Sequence, residues 1–203
     1  MRYTSRSLKE IVQLLNNIEK YLKKLDHHCL RYLDEGLSSQ EIQENMLTIS
    51  LQPNEALISL YSWKNGIKPT ENINLGCLTF FPGFYLMSLQ EGISSYIEFK
   101  NSLDWKKTWF PIFANGGGDF YVIDLNEKTN GKIIGCFMYE DEHTVEYNSL
   151  ELMLRTFEEC YEKGIVFKDD QGYLDMDYYE HAAIAHRLNP DLYIWKNILN
   201  EKQ

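Results

Sequence analysis

Trp105-Lys-Lys-Thr-Trp109-Phe-Pro-Ile-Phe113-Ala-Asn115-Gly116-Gly117-Gly118-Asp119-Phe120-Tyr121-Val122-Ile123-Asp124-Leu125 holds two of the four tryptophans, three successive glycines and a strand-like apolar run. Adjacent glycines have no side chains to pack and accept positive φ without steric cost, so they mark a sharp turn or a close backbone approach. Phe120 to Leu125 then reads as a strand. Phe120 and Val122 point to one face and Tyr121, Ile123 and Leu125 to the other, so both faces are apolar and a central strand covered on both sides is expected. Asp124 is the exception. A phosphate-binding reading of the glycines fails, because a P-loop ends in Gly-Lys-Ser/Thr before a helix and a dinucleotide fingerprint also opens a helix. Here the carboxylate of Asp119 and a strand follow instead.

The same string resembles the signature of the SUKH superfamily, the Smi/Knr-like proteins. Upstream, Leu60-Tyr61-Ser-Trp63-Lys-Asn65-Gly66 is similar to the helix end that precedes that family's sheet. Downstream, Leu188-Asn189-Pro190 with Trp195 resembles a tail seen in some members. The ordered match runs from roughly Gly36 to Trp195. The resemblance implies an α+β domain without known catalysis, used by many bacterial members as an immunity protein that neutralises a toxin and by fungal members in regulating cell-wall synthesis. It also implies a role for Asp119 and Asp124 at a ligand-facing loop.

Composition sets its own bounds. The 203 residues, 44% hydrophobic and 14% aromatic, are enough for one substantial core and short for two. The net charge of −10 is concentrated in the second half, where residues 101–203 carry 10 Lys/Arg against 19 Asp/Glu. Phosphate neutralisation needs a basic face, so nucleic acid is disfavoured and a basic protein partner favoured. Cys29, Cys77, Cys136 and Cys160 form no Cys-x-x-Cys pair and read as buried thiols in a reducing cytoplasm. No apolar run approaches the ~18 residues of a membrane span, and the start is too polar for a signal-peptide core.

Working outward toward the N-terminus, Leu8, Ile11, Leu15, Ile18, Leu22, Leu25 and Cys29 recur at steps of three and four behind a Ser7/Glu10 capping box. This predicts a long amphipathic helix over residues 1–35 that docks on the parent domain or forms a partner seam. The remainder, 36–203, reads as one domain. Ser38 with Glu41 caps a short helix, and Pro53 with Glu55 opens another that carries Leu57, Leu60, Tyr61 and Trp63 inward. Trp63 is then a core anchor, as are Trp109, Tyr121 and Ile123. Leu78 to Phe81 and Phe84 to Met87 read as short strands broken at Pro82-Gly83, and Ser88 with Glu91 caps the next helix.

Toward the C-terminus, the Thr129-Asn130-Gly131 turn leads to a strand partner within Lys132 to Tyr139, and Tyr121, Val122, Ile123 and Phe137 are expected to be almost fully buried. Asn148-Ser149 opens a helix stopped by Gly164. The acidic stretch from Asp169 to Glu180 misses the glycine and terminal Glu of a calcium loop, and reads as a helix entry capped by Asp175 or Asp177. Pro190 precedes a last helix carrying Leu192, Trp195 and Leu199. Helices, then strands, then helices predict an α+β fold with a central, mainly antiparallel sheet flanked by N-terminal and C-terminal helices.

No constellation carries catalysis. His27 and His28 are adjacent, His181 and His186 miss the i, i+4 spacing of a helical metal pair, and His143 stands among carboxylates. Asp119 and Asp124 lie about 16 Å apart on an extended chain, too far to act on one bond. Their plain reading is local: Asp119 bonding the glycine loop's amides and Asp124 closing the strand end at Asn126. The expected protein is therefore a non-enzymatic cytoplasmic binding module, monomer or weak dimer, without metal or cofactor. The resemblance, with the acidity of the second half, implies as its leading role an immunity protein for a basic toxin of nuclease or deaminase type; the alternatives are a cell-wall synthesis regulator, which the resemblance also implies, and an enzyme of unknown type. Asn115, Gly116, Gly117, Gly118, Asp119, Asp124, Glu140, Asp141 and Glu142 are the candidate partner-binding residues.

Overall fold

A computed structural model of the chain describes residues 5–68, 73–102, 104–129, 131–140 and 142–201. Asn130 of the expected turn and Asp141 of the acidic loop lie outside the described residues. The central element is an antiparallel five-stranded sheet in the order β3 (Tyr85–Leu86), β4 (Trp109–Ala114), β5 (Phe120–Asp124), β6 (Ile133–Cys136), β7 (Thr144–Tyr147). With α-helices on both sides in sequence, the fold is α+β.

β5 sits in the middle, and its alternation divides the core in two. Tyr121 and Ile123 join a large cluster with Phe80, Phe81, Phe113, Tyr147, Leu154 and Phe157, while Phe120 and Val122 join a smaller one with Trp105, Trp109 and Cys136. The large cluster is covered by α1 (Ser5–Lys24), α3 (Glu55–Trp63) and α5 (Leu150–Glu162), and the helix α4 (Leu89–Phe99) packs against β4. Pro111 occupies an interior strand despite its missing donor. It sits beside a bulge and outside the two positions of β4 that pair with β3.

Ile11, Leu15, Ile18 and Leu22 of α1 are fully buried in the large cluster, so the amphipathic stripe docks on α3 and α5 of its own chain. Polar bonds fix the rotation of the helix: the Trp63 indole donates to Asn16 at 2.9 Å, Asn17 donates to Glu158 at 2.6 Å, and Glu10 pairs with Arg155. The helix is shorter than its apolar spacing predicts. It ends at Lys24, Asp26 turns the chain at φ 46, and Cys29 falls in a 3-10 turn (His28–Arg31) that leads to β1 (Leu33–Glu35). β1 pairs with β2 (Lys64–Ile67), so Asn65-Gly66 is strand rather than helix end. α1 already runs at Ser5, which places Ser7 inside the helix and not at its cap.

Other local signals hold. Ser38 makes the full capping box with Glu41 on α2 (Ser39–Leu47), Ser88 caps α4 and Ser149 caps α5. Asn54 caps α3, so Pro53 stands one residue before the cap rather than in the first turn. Leu75–Leu78 is a 3-10 turn, and Phe81 and Phe84 meet in an isolated bridge around Pro82-Gly83, so of the two expected strands Tyr85–Leu86 alone is formed. Phe137 lies past the end of β6 and is half-buried, a correction to its expected burial. Cys77 is likewise only partly covered, whereas Cys29, Cys136 and Cys160 are buried.

The acidic stretch conceals a hairpin, β8 (Val166–Lys168) with β9 (Leu174–Met176), closed by Asp169 accepting from the amides of Gln171 and Tyr173. Asp177 then caps α6 (Tyr178–Leu188), and α7 (Tyr193–Glu201) buries Trp195 and Ile198. Buried Asn189 joins these helices to the sheet by accepting from the Asn148 amide at 2.9 Å. Among the described residues no helix is long and apolar enough to cross a membrane.

Since Ile123 is fully buried at the centre of this arrangement, Ile123→Ala is expected to cost about 2–5 kcal/mol through lost transfer energy and a cavity. Urea unfolding measures it, and a loss under about 0.5 kcal/mol would mark β5 as peripheral.

Candidate functional site

The three glycines join β4 to β5, and their loop is organised by Asn115. Its side-chain oxygen accepts from the amides of Gly117 (2.7 Å) and Asp119 (3.1 Å), while its amide donates to Asp119 at 2.6 Å. Gly116 (φ 78) and Gly118 (φ 104) take backbone conformations that side chains resist. The second carboxylate oxygen of Asp119 accepts the backbone N–H of Met138 at 2.8 Å. Asp119 thus leaves the capping of the glycine amides to Asn115 and instead clamps this loop to the one joining β6 and β7. The approach is close: a Cβ on Gly118 would lie 2.2 Å from the Met138 sulfur.

The clamp presents the second loop to solvent. Met138 is 61% exposed and Tyr139 95% exposed, and the exposed carboxylates of Glu140 and Glu142 stand beside them. The structure therefore brings Asn115, the glycines, Asp119, Glu140 and Glu142 into two neighbouring loops. Asp124 is not with them. It lies at the other end of β5, 5% exposed, accepting from the Thr108 hydroxyl (2.6 Å) and the Asn126 amide (3.0 Å). The anchors Trp109 and Tyr121 are buried, whereas Trp63 is partly exposed at the α1 seam.

A feature absent from the sequence reading lies behind these loops. β7 carries a bulge: Ile133 pairs with Tyr147 and Ile134 with Val145, which leaves Glu146 without a partner residue. Bulges re-aim side chains. Glu146 turns to the same side as Tyr147, into the large cluster, where it is 6% exposed and its Oε2 accepts the Tyr121 hydroxyl at 3.0 Å. Gly135 makes room for it, because a Cβ there would meet Glu146 Oε1 at 2.4 Å. Burial pushes this carboxyl up to about 8, against the lowering effect of the Tyr121 bond and with some help from Glu140.

Beside it, His181 of α6 bonds the Tyr147 hydroxyl through Nε2 at 3.0 Å, and burial pushes the imidazole down to about 4. Its Nδ1 has no hydrogen-bond partner among the described residues. The Trp195 indole donates to the Glu146 carbonyl at 2.6 Å and fixes α7 over β7. Buried Cys29, Cys136 and Cys160 are pushed up to about 12, which makes them poor nucleophiles. Among the described residues no group of three His, Cys, Asp or Glu is placed to hold a metal.

With this geometry in view, comparison with known families shows that the profile of the SMI1 / KNR4 family (SUKH-1) aligns with residues 36–163, more than half of the chain. The chain belongs to the SMI1 / KNR4 family (SUKH-1). No curated protein matches it individually. Membership supports a protein-binding role of the immunity or regulatory kind, in a family whose members are generally non-enzymatic. The glycine loop, the β6–β7 loop and Glu146 lie within the matched segment, whereas β8, β9, α6 and α7 lie beyond it. The match thus stops short of the tail containing Asn189, Pro190 and Trp195.

Two outcomes follow from the site's chemistry. Asp119→Ala removes a charged acceptor from the Met138 amide and is expected to cost about 1–2 kcal/mol. Faster hydrogen exchange at Met138 reports the loosened loop, and unchanged exchange would show that the clamp does not hold it. The second concerns pH. His27 and His181, both pushed down to about 4 mainly by burial, are neutral in the fold but charge in the unfolded chain below about 6.5, so stability falls as pH drops from 6.5 toward 4. Glu146 is protonated in the fold and ionised in the unfolded chain between about 4.5 and 8, so its contribution falls as pH rises through that window. From 4.5 to 6.5 the two histidines outweigh the one carboxyl; from 6.5 to 8 the carboxyl acts alone. Stability should peak near pH 6.5 and decline at about 1.4 kcal/mol per unit toward pH 8, a decline that Glu146→Gln abolishes.

Proposed function

We propose that this protein is an immunity-type binding module that docks on a basic toxin, of nuclease or deaminase type, and covers its active site. The observation that carries the reading is the pairing of exposed Met138 and Tyr139 with exposed Glu140 and Glu142 on a loop tethered by Asp119. Aromatic and methionine side chains ringed by polar groups are the composition of a protein interface, where the apolar anchors supply affinity and the rim charges steer encounter. The net charge of −10, concentrated in the half of the chain that carries these loops, supplies a field attracting a basic partner and repelling nucleic acid. Asp119 acts by ordering the face, since both of its oxygens are already engaged within the protein.

The test uses a basic toxin encoded beside this chain. Glu140→Lys with Glu142→Lys is expected to slow association several-fold at low salt, with the difference shrinking as the Debye length falls below ~10 Å. Tyr139→Ala is expected to speed dissociation and cost about 2 kcal/mol of affinity. Stopped-flow association and surface plasmon resonance separate the two. Unchanged kinetics in both variants, with folding intact, would move the binding face elsewhere.

A further inference from the structure

Between the sheet and the C-terminal helices lies a cavity of ≈ 290 Å³ that reaches from Asp119 at the loop face to Glu146 inside. Its walls are largely aromatic: Phe84, Tyr121 and Phe137 on the sheet side, with Tyr178 and Trp195 opposite. Asp119 and Glu146 are its acidic side chains, and no Lys or Arg is among the described residues lining it. Tyr121 occupies Glu146 Oε2, while Oε1 has no hydrogen-bond partner among the described residues. The unpartnered Nδ1 of His181, a residue 2% exposed, belongs to the same lining.

Aromatic faces and carboxylates attract the same kind of guest, an organic cation. The size limits it further, because ≈ 290 Å³ falls at the small end of ligand pockets, below what a nucleotide needs and in the range of one long side chain. We propose that this cavity receives a single alkylguanidinium or alkylammonium group, the Arg or Lys side chain of a basic protein partner, with its head on Glu146 and its stem between Phe84, Phe137 and Tyr178. The proposal rests on the reading of the chain as a protein-binding module and gives that reading a buried anchor behind the exposed loops. Tyr178, His181 and Trp195 of the lining come from α6 and α7, outside the segment that matches the family.

The chemistry carries a signature. The buried carboxyl, pushed up to about 8, holds its proton in the empty cavity near neutral pH; a cation entering displaces that proton and pairs with the carboxylate. The groups facing it are Tyr121 from β5, Glu140 from the β6–β7 loop, Tyr178 and His181 from α6, and its neighbours Cys136 and Tyr147. Burial moves the phenols and the thiol upward and His181 down to about 4. Of these burial-shifted groups, Glu146 is therefore the one that changes charge between pH 6 and 8. Binding should release close to one proton at pH 7 and tighten up to tenfold per pH unit until the carboxyl is ionised.

The probe is n-butylguanidinium, with n-butylurea as its neutral counterpart of matching shape. Titration followed by the Trp195 indole and Tyr121 ring NMR signals should give a Kd of a few millimolar or tighter for the cation, with the urea at least about tenfold weaker. Calorimetry in two buffers of different ionisation enthalpy should register the released proton. Glu146→Gln, which imitates the protonated carboxyl in shape, should abolish the preference for the cation and the proton release. Equal binding of both probes, no binding at about 100 mM, or a cation affinity indifferent to pH in the wild-type protein overturns the site even if the variant fails to fold. A basic partner that binds Glu146→Gln as tightly as wild type overturns the anchor and leaves the partner reading intact. A cation seated in the cavity of a protein that binds no basic partner upholds the site and overturns that reading.

Discussion

A strand with apolar residues on both faces must be dry on both faces, and β5 imposes this condition on the rest of the molecule. Covering the Tyr121–Ile123 face takes α1, α3 and α5, with Leu89, Ile93 and Tyr96 of α4 in the same cluster, and covering the Phe120–Val122 face takes Trp105, Trp109 and Phe99 at the end of α4. Each fully buried aliphatic or aromatic side chain is worth roughly 1.5–3 kcal/mol, so the elements that complete the cover are held by burial far more than by their surface ion pairs. This accounts for an N-terminal helix outside the family-matched segment that is nevertheless seated in the same core as the sheet. It also accounts for a loop face that can be built from glycines. The strands beneath it are rigid, so the loops need only a few polar bonds to fix them.

Local rules carried much of this into the sequence. The period-two alternation of Phe120 to Leu125 separates the two clusters correctly, and Ser38/Glu41, Ser88/Glu91 and Ser149 each cap the helix they announce. These succeed because the interactions span four residues or fewer. The reading failed where tertiary contacts decide. Leu25 and Cys29 continue the helical spacing of α1, yet the helix ends at Lys24 and the chain turns at Asp26 toward β1, which pairs with β2. The β8–β9 hairpin is short, half-exposed and bracketed by aspartates, so its alternation is buried under the turn signals on either side.

Glu146 is the clearest case of what a sequence withholds. In Thr144-Val-Glu146-Tyr147, strict alternation places the glutamate opposite its neighbours and out toward water. The bulge against Ile133 and Ile134 adds one residue and turns it inward beside Tyr147. The complementary absence of a side chain at Gly135, two strand positions from any turn, is the one trace it leaves. The face of exposed Met138 and Tyr139 was similarly hidden. Both residues extend an apolar run that reads as strand, and their exposure follows from β6 ending at Cys136.

The two groups of acids differ in kind. Glu140 and Glu142 are exposed, so water solvates them whether or not anything binds, and their influence is long-range and screened by salt. Glu146 is 6% exposed among aromatic rings, where an ionised carboxylate without a counter-charge is costly, and the fold avoids that cost by keeping the proton on. A buried acid in this condition stabilises little; a hydrocarbon of similar volume would pack as well without a pH-dependent penalty. Its hydrogen bond to Tyr121 orients one oxygen and leaves the other free, an arrangement suited to meeting a guest rather than to closing a core. The fold thus places a weakly committed carboxyl directly behind the loops that Asp119 clamps together, so the exposed face is tied down by Asp119 just before β5 and the buried acid is held by Tyr121 within it.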